Sequence, residues 1–376
     1  MLKLKENNMY RRHLEAVLIT IYSPLPNVGN RLQNYAAQEV LKKLGLEVTT
    51  ICFEKSILSV PNKIKYFMQR LSGYRLPGDK VFWKLFIPKV CIFNAFNKRY
   101  IRTKCIRKIA TIPEADYYVI GSDQVWNPVW YDEGTFKKEI YLLTFAEPKQ
   151  KICLSPSFGL NDIPKEWEDW FRNNLLGFPN LAVREDAGAQ IIKKLTGQNA
   201  EVTIDPTLML DRTEWDKIAV PPQNIDCERK YILTYFLGGR SQEAEGDLKK
   251  FSHKIHADIY HLLDEENPDL YISGPSQFLY LLSHASLIIT DSFHACVFSF
   301  LYGKPFLVYD RIGSVDMISR METLFNKFDL KRKYINSGLP NDLMECNYEY
   351  GYHVLEKERK KLMDFLITSM NTNETK

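Results

Sequence analysis

The sequence predicts an α/β protein of two parallel-sheet domains with a cleft between them. Three observations lead there. Apolar strand-like runs alternate with segments of helical spacing, the pattern of parallel sheets joined by crossover helices. The alternation pauses near residue 205 and restarts at Tyr231. A length of 376 residues suits two domains better than one or three, and each can bury a core without disulfides or a structural metal.

In the first half, Ala16 to Tyr22 reads as a buried strand. A loop with Pro24, Pro26 and Gly29 follows, then a helix from Arg31 to Leu44. Leu32, Tyr35, Ala36, Val40 and Leu44 recur at helical spacing, and Gly45 is placed to cap the end. Leu46 to Phe53 resumes as a strand. The resulting βαβ unit carries a polar loop at the carboxyl end of its first strand, where open α/β sheets bind ligands. Further strands are expected at Tyr117 to Gly121, Lys151 to Ser155 and Leu181 to Arg184, with a helix from Glu185 to Thr196. Val202 to Thr207 reads as the strand leaving this domain.

The second half repeats the alternation. Strands are expected at Tyr231 to Leu237, Asp258 to Leu263, Ser286 to Thr290 and Phe306 to Tyr309. Helices fit Gln242 to Ile255, Ser276 to Ser283, Phe293 to Tyr302 and Val354 to Ser369. The division is therefore residues 1–205, 206–345 and a helical tail over 346–376.

Composition narrows the classes. With 45% hydrophobic and 26% charged residues, a disordered or fibrous chain is excluded. Fifty basic against 46 acidic residues give +4 overall, too little to argue for a nucleic acid partner. One stretch departs from the average. Residues 62–108 hold thirteen basic residues and a single acid, Asp79, so the stretch carries +12 and leaves −8 elsewhere. Nine aromatics are interleaved. A pair of amphipathic helices with a solvated basic face fits this pattern, and so do an anionic membrane surface and, less well, a nucleic acid strand. No window reaches the roughly 18 apolar residues of a membrane span. Arg11 and Arg12 precede an apolar run of only seven residues, with no small-residue cleavage site after it. The seven cysteines form no C-x-x-C pair and no zinc spacing. Scattered reduced thiols in a cytoplasmic protein are the expectation.

Four constellations carry chemistry. Asn27 to Tyr35 places Gly29 and Asn30 at a strand-to-helix turn, where backbone can approach a ligand and free N–H groups attract anions; a plain capped loop fits equally. Gly121 to Pro128 follows a strand and sets Ser122, Asp123, Gln124 and Asn127 beside Trp126. A flat ring among polar groups suits a sugar, the alternative being a capped turn over a buried indole. Arg184 ends a strand before Glu185 and Asp186; its planar fork could grip a carboxylate or phosphate, or pair with those acids. Asp291 or Ser292 caps a helix that carries His294 in its first turn, where an imidazole can exchange protons near neutral pH. Lys304, in Gly303-Lys304-Pro305, closes that helix and offers a cation. The G-x-S-x-G, Walker A, H-E-x-x-H and G-x-G-x-x-G motifs are absent.

In order, Gly29 to Gln33, Gly121 to Asn127, Val183-Arg184-Glu185, Asp205-Pro206-Thr207 and Ser292 to Pro305 resemble the polysaccharide pyruvyl transferase family. The resemblance spans roughly residues 16–310. It implies two Rossmann-like domains arranged as in GT-B glycosyltransferases, phosphoenolpyruvate as donor, and a pyruvyl ketal formed on two hydroxyls of a sugar. The family's donor-site arginine and histidine match Arg184 and His294. Two departures stand out. Many members read Arg-Leu-His where this chain has Ser292-Phe293-His294, and Gly188 stands where a serine is frequent.

The expectations are then definite. His294 and Arg184 are the catalytic candidates; Gly29, Asn30, Arg184, Ser292 and Lys304 would bind the donor; Asp123, Gln124, Trp126 and Asn127 would orient the acceptor. No metal or cofactor is expected, because arginine and helix ends supply positive charge. A polyprenol-linked acceptor would bring the chain to the inner face of the membrane through the basic stretch. Two alternatives keep the fold. One is a nucleotide-sugar glycosyltransferase, with Gly238-Gly239 approaching a diphosphate; the other is a non-catalytic glycan-binding protein.

Overall fold

The computed structural model describes residues 14–23, 25–53, 81–131, 137–312, 318–333 and 343–374. The first unit opens with β1 (Leu14–Ile19), α1 (Val28–Lys43) and β2 (Leu46–Cys52). It continues through α2 (Ile87–Tyr100), β3 (Thr103–Cys105), β4 (Tyr117–Ile120) and β5 (Lys151–Cys153). Its five strands run parallel in the order β3-β2-β1-β4-β5. Then come α3 (Glu168–Leu175), β6 (Ala182–Val183), α4 (Asp186–Thr196) and β7 (Glu201–Val202). β6 and β7 form a separate parallel pair instead of extending the main sheet.

The second unit holds β8 (Tyr231–Tyr235), α5 (Gln242–Ile255), β9 (Asp258–His261) and α6 (Pro275–His284). β10 (Leu287–Thr290), α7 (Phe293–Leu301) and β11 (Phe306–Val308) complete its sheet. The strands run parallel in the order β11-β10-β8-β9. α8 (Ile318–Phe328) and α9 (Glu349–Glu374) follow. The expected α/β architecture of two parallel sheets with a C-terminal helix is present.

Most expected elements form where the apolar pattern put them. β3, α3 and α8 stood in no expectation, and the expected strand from Val202 to Thr207 is a strand only at Glu201–Val202, before a helical turn at Pro206–Met209. α1 starts three residues before the expected Arg31, because Asn27 caps it by accepting the Asn30 N–H at 3.0 Å. Gly29 and Asn30 are thus first-turn helix residues and not loop. α9 is ten residues longer than its apolar core implied, because residues 349–353 and 370–374 are also helical. Part of what holds it is polar: Arg359 donates to the carbonyls of Leu208 and Leu210 at 2.7 and 2.9 Å, and Lys361 pairs with Glu201 at 2.8 Å. The tail therefore crosses back onto the first unit.

One continuous core joins the units. α1 contributes Leu32, Ala36 and Val40, which share a cluster with Trp215, Phe278 and Phe298. Burying each large apolar side chain of this kind stabilises by about 1.5–3 kcal/mol.

Of the basic stretch, residues 62–80 lie outside the described residues. Its remainder divides by face. Phe93 and Phe96 of α2 enter the core, and Lys89 is buried with its ammonium 4.4 Å from the Tyr271 ring centroid in the second unit. Burial lowers the Lys89 pKa to about 8. Lys98, Arg99, Arg102, Lys104, Arg107 and Lys108 are exposed.

The expectation of seven separate thiols is corrected at one pair. Cys52 and Cys105 face each other across parallel β2 and β3 and are joined as a disulfide. The strand carrying Cys105 has no apolar alternation, so the pairing was not visible in sequence. Cys91, Cys153, Cys227, Cys296 and Cys346 are free. Among the described residues, no helix is long and apolar enough to cross a membrane.

Candidate active site

In both sheets the candidate residues gather at the carboxyl ends of the strands, next to the places where strand order reverses. This is where open α/β sheets present ligand-binding loops. In the first sheet the reversal lies between β1 and β4. Thr20, just after β1, donates to the Ser122 carbonyl just after β4 at 2.8 Å, and accepts from Gln33 of α1 at 2.7 Å. Asn30 ties the same loops together: its Nδ2 donates to Asp123 Oδ2 at 3.4 Å. Arg31 is a buried staple, donating to Asn30 Oδ1 and to the Ser23 carbonyl.

Asp205 is the centre of the polar cluster. Its side chain is 0% exposed, and Oδ2 accepts from Ser122 Oγ at 3.0 Å and Arg184 Nη1 at 2.5 Å. Oδ1 accepts from the Thr207 N–H and hydroxyl. Burial alone would raise its pKa; Arg184, His294 and the Thr207 bonds outweigh that and hold it at about 2. The pair is therefore ionised, and removing one partner of such a buried pair costs about 3–5 kcal/mol.

Arg184 is thus held by Asp205, and not by Glu185 or Asp186. Glu185 turns to the N–H groups of Phe158 and Gly159 at 2.8 and 3.1 Å. Asp186 meets Thr323 of α8. The Arg184 guanidinium carbon sits 4.7 Å from the Phe293 ring centroid, and Nη2 lies 3.9 Å from Asp123 Oδ1. Burial opposes its charge, but the surrounding carboxylates leave its pKa raised.

His294 arrives from the second unit, in the first turn of α7. Its Nε2 lies 3.9 Å from Asp205 Oδ2. Burial lowers its pKa below 6.5, with Asp205 and Asp123 opposing and Arg184 and Arg320 reinforcing. Gly29 stands directly behind the ring, where a Cβ would come within 2.2 Å of Nδ1. The first turn of α1 thus meets the first turn of α7 through an imidazole that only glycine admits. Among the described residues, Arg184 Nε and Nη2 and His294 Nε2 are buried without a hydrogen-bond partner. Unmet polar atoms of this kind are costly to bury, and the two arginine donors suit an anionic, oxygen-rich ligand.

Asp123 has φ of 73°, the left-handed region that aspartate tolerates better than most side chains. The turn aims its carboxylate at Asn30, Arg184 and Arg320.

Other expected residues stand elsewhere. Trp126 is 0% exposed, donates Nε1 to the Tyr141 carbonyl at 3.0 Å, and packs on Phe158 and Phe178. The proposed stacking on a sugar is corrected: the indole is core. Asn127 caps the short helix at Pro128, accepting the Val129 N–H at 3.0 Å. Gln124 is buried against Gly159. Ser292 begins α7 without a side-chain cap bond. Lys304 lies beyond the far end of α7, whose nine residues span roughly 13 Å at 1.5 Å per residue. It neighbours Tyr348, which donates to its carbonyl at 2.9 Å, so the donor-binding expectation for Lys304 is corrected.

The first glycine of the pair after β8 has a structural role. The Leu237 and Gly238 N–H groups both donate to Asp291 at 2.8 Å, and a Gly238 Cβ would meet the Ile312 carbonyl at 2.7 Å. Close packing of residues 311–312 explains this glycine, whose own N–H is engaged by Asp291.

Sequence reasoning missed two residues. Asp205 stood in a motif but was read only as the chain's exit from the first unit. Arg320, on α8, stood in no motif at all.

A family model described as polysaccharide pyruvyl transferase matches residues 27–312. No curated protein matches the chain. Among solved structures, it is similar to a UDP-GlcNAc 2-epimerase from Neisseria meningitidis bound to UDP-GlcNAc, at 11% identity and TM-score 0.46, covering 94% of this chain and 100% of that one. A glycosyltransferase from Rickettsia africae is similar at 14% identity and TM-score 0.40, covering 96% and 98%. A putative UDP-N-acetylglucosamine 2-epimerase from Listeria monocytogenes gives 11% and 0.43, covering 97% and 92%.

Proposed function

The chain belongs to the polysaccharide pyruvyl transferase family, and on that footing we propose that it moves the pyruvyl group of phosphoenolpyruvate onto two hydroxyls of a sugar as a cyclic ketal. One observation carries the reading: two unmet donors of Arg184 and the unpartnered Nε2 of His294 are buried together beside an ionised Asp205. An arginine fork so placed matches a carboxylate or a phosphate oxygen pair.

The chemistry follows from those positions. His294 begins neutral, because burial lowers its pKa. Its Nε2 takes the proton of the first sugar hydroxyl as that oxygen bonds to C2 of the enol phosphate. The same proton is returned to C3, which becomes a methyl group. The imidazolium that exists in between is stabilised by Asp205, 3.9 Å away. The second hydroxyl then displaces phosphate from C2, and its proton leaves with the phosphate. Arg184 and the free N–H groups at the start of α7 offset the donor's negative charge. Asn30 keeps Asp123 in place, and Gly29 gives the imidazole its room.

The acceptor belongs to surface polysaccharide synthesis, and a polyprenol-linked sugar would place the exposed cations from Lys98 to Lys108 against the anionic inner face of a membrane.

The test is phosphate release from phosphoenolpyruvate with a panel of lipid-linked and simple glycosides. Release should need an acceptor, collapse by roughly a hundredfold or more in His294→Ala, and collapse in Arg184→Ala. In wild type it should fall only as pH drops below 6.5, through the lowered histidine pKa. A protein that binds no phosphoenolpyruvate, or a His294→Ala variant with unchanged turnover, would overturn the reading.

A further inference from the structure

The family match ends at residue 312, and α8 begins at Ile318, so what α8 delivers is not assigned by that match. It delivers Arg320. The side chain is 3% exposed, with Nη1 3.8 Å from Asp123 Oδ1. That same carboxylate oxygen lies 3.9 Å from Arg184 Nη2. Both guanidinium carbons face the Phe293 ring, Arg184 at 4.7 Å and Arg320 at 5.9 Å from its centroid. Two arginines 136 residues apart in the sequence thus share one carboxylate and one aromatic ring.

The placement is held by α8 itself. The Thr323 hydroxyl, one turn after Arg320, accepts the Asp186 N–H at 3.2 Å at the start of α4. Asp186 follows Arg184 by two residues, so the contact fixes the two arginines relative to each other. Neither contact to Asp123 is short enough for a hydrogen bond, so Asp123 balances charge without a bidentate grip on either fork. Placing two guanidinium groups together in a buried site is unfavourable by itself. Burial, reinforced by Arg184, lowers the Arg320 pKa to about 10, which still leaves it charged at neutral pH. Asp123 and Glu185 oppose that shift, and a ligand with two separated anionic groups would oppose it further.

Phosphoenolpyruvate is such a ligand, with a carboxylate on C2 and a phosphate on the enol oxygen. We propose that Arg320 is a donor-binding residue, forming with Arg184 a clamp in which one guanidinium takes the carboxylate and the other the phosphate. The inference rests on the donor reading above and adds a residue beyond the family match.

Calorimetric binding to the full chain tests it, with phosphoenolpyruvate as ligand and inorganic phosphate and pyruvate as probes that carry one anionic group each. Arg320→Gln should weaken phosphoenolpyruvate binding roughly tenfold or more, the loss of a charge-assisted contact. Arg320→Lys should weaken it less, keeping the charge but losing the fork. Only one of the two probes should lose affinity, and Arg184→Gln should cost the other. Unchanged phosphoenolpyruvate affinity in Arg320→Gln overturns the clamp, as does equal loss of both probes. If the Gln variant does not fold, wild-type affinity in Arg320→Lys overturns it. Failure of the wild type to bind phosphoenolpyruvate sinks the donor reading instead, and the clamp with it.

Discussion

Gly29 shows how much a single hydrogen atom decides. In the sequence it reads as a place where backbone nears a ligand; in the structure it is where backbone nears His294, at a distance no Cβ could share. Gly29→Ala should push the imidazole out of line with Asp205. Overpacking of this kind costs about 1–3 kcal/mol, while misplacing a reacting group costs roughly a hundredfold in rate. The expected result is a modest drop in melting temperature with a large drop in kcat. A Gly29→Ala enzyme at wild-type kcat would show that His294 needs no such seat. Arg184 and His294 were legible because each stands where a strand hands over to a helix. Asp205 was half legible: its position was seen, its burial was not, since no local pattern says which carboxylate an arginine 21 residues away will meet.

At the scale of elements, α7 separates two residues that the sequence placed in one block. His294 opens the helix and Lys304 follows its end, so helical rise alone takes the lysine out of the site. The segment after β4 divides similarly. The turn at Asp123 sends that carboxylate towards the arginines, and the next residues fold back into the core. Trp126→Phe tests the division. It should destabilise by about 1–3 kcal/mol, because the Tyr141 carbonyl loses its donor, and leave the KM for the sugar acceptor unchanged. A raised acceptor KM at unchanged stability would restore the stacking role. The sequence could not separate the two readings, since an indole beside polar residues looks alike whether it lines a site or lies beneath one.

Across the whole molecule, the site exists because two sheets present the carboxyl ends of their strands to each other. α2 packs between the units with its apolar face and Lys89 inward, which leaves its exposed cations as the surface an acidic membrane would meet. Reversing Lys98, Arg99 and Arg102 to glutamate should reduce binding to vesicles containing phosphatidylglycerol, by about 1 kcal/mol per charge at low salt. Binding that survives the triple change would remove this segment from any membrane role.

Alternation of apolar period by itself determined the α/β class, the restart at Tyr231 and the strand-to-helix junctions that carry Asp123, Arg184 and His294, because periodicity and turn chemistry are local properties of a chain. Only the tertiary structure decided that Asp205 neutralises Arg184, that Trp126 is core, that Cys52 reaches Cys105, and that Arg320 joins a site whose motifs end before it. Those outcomes depend on which distant segments share a buried space, where desolvation makes every charge find a partner, and no window of sequence contains that information.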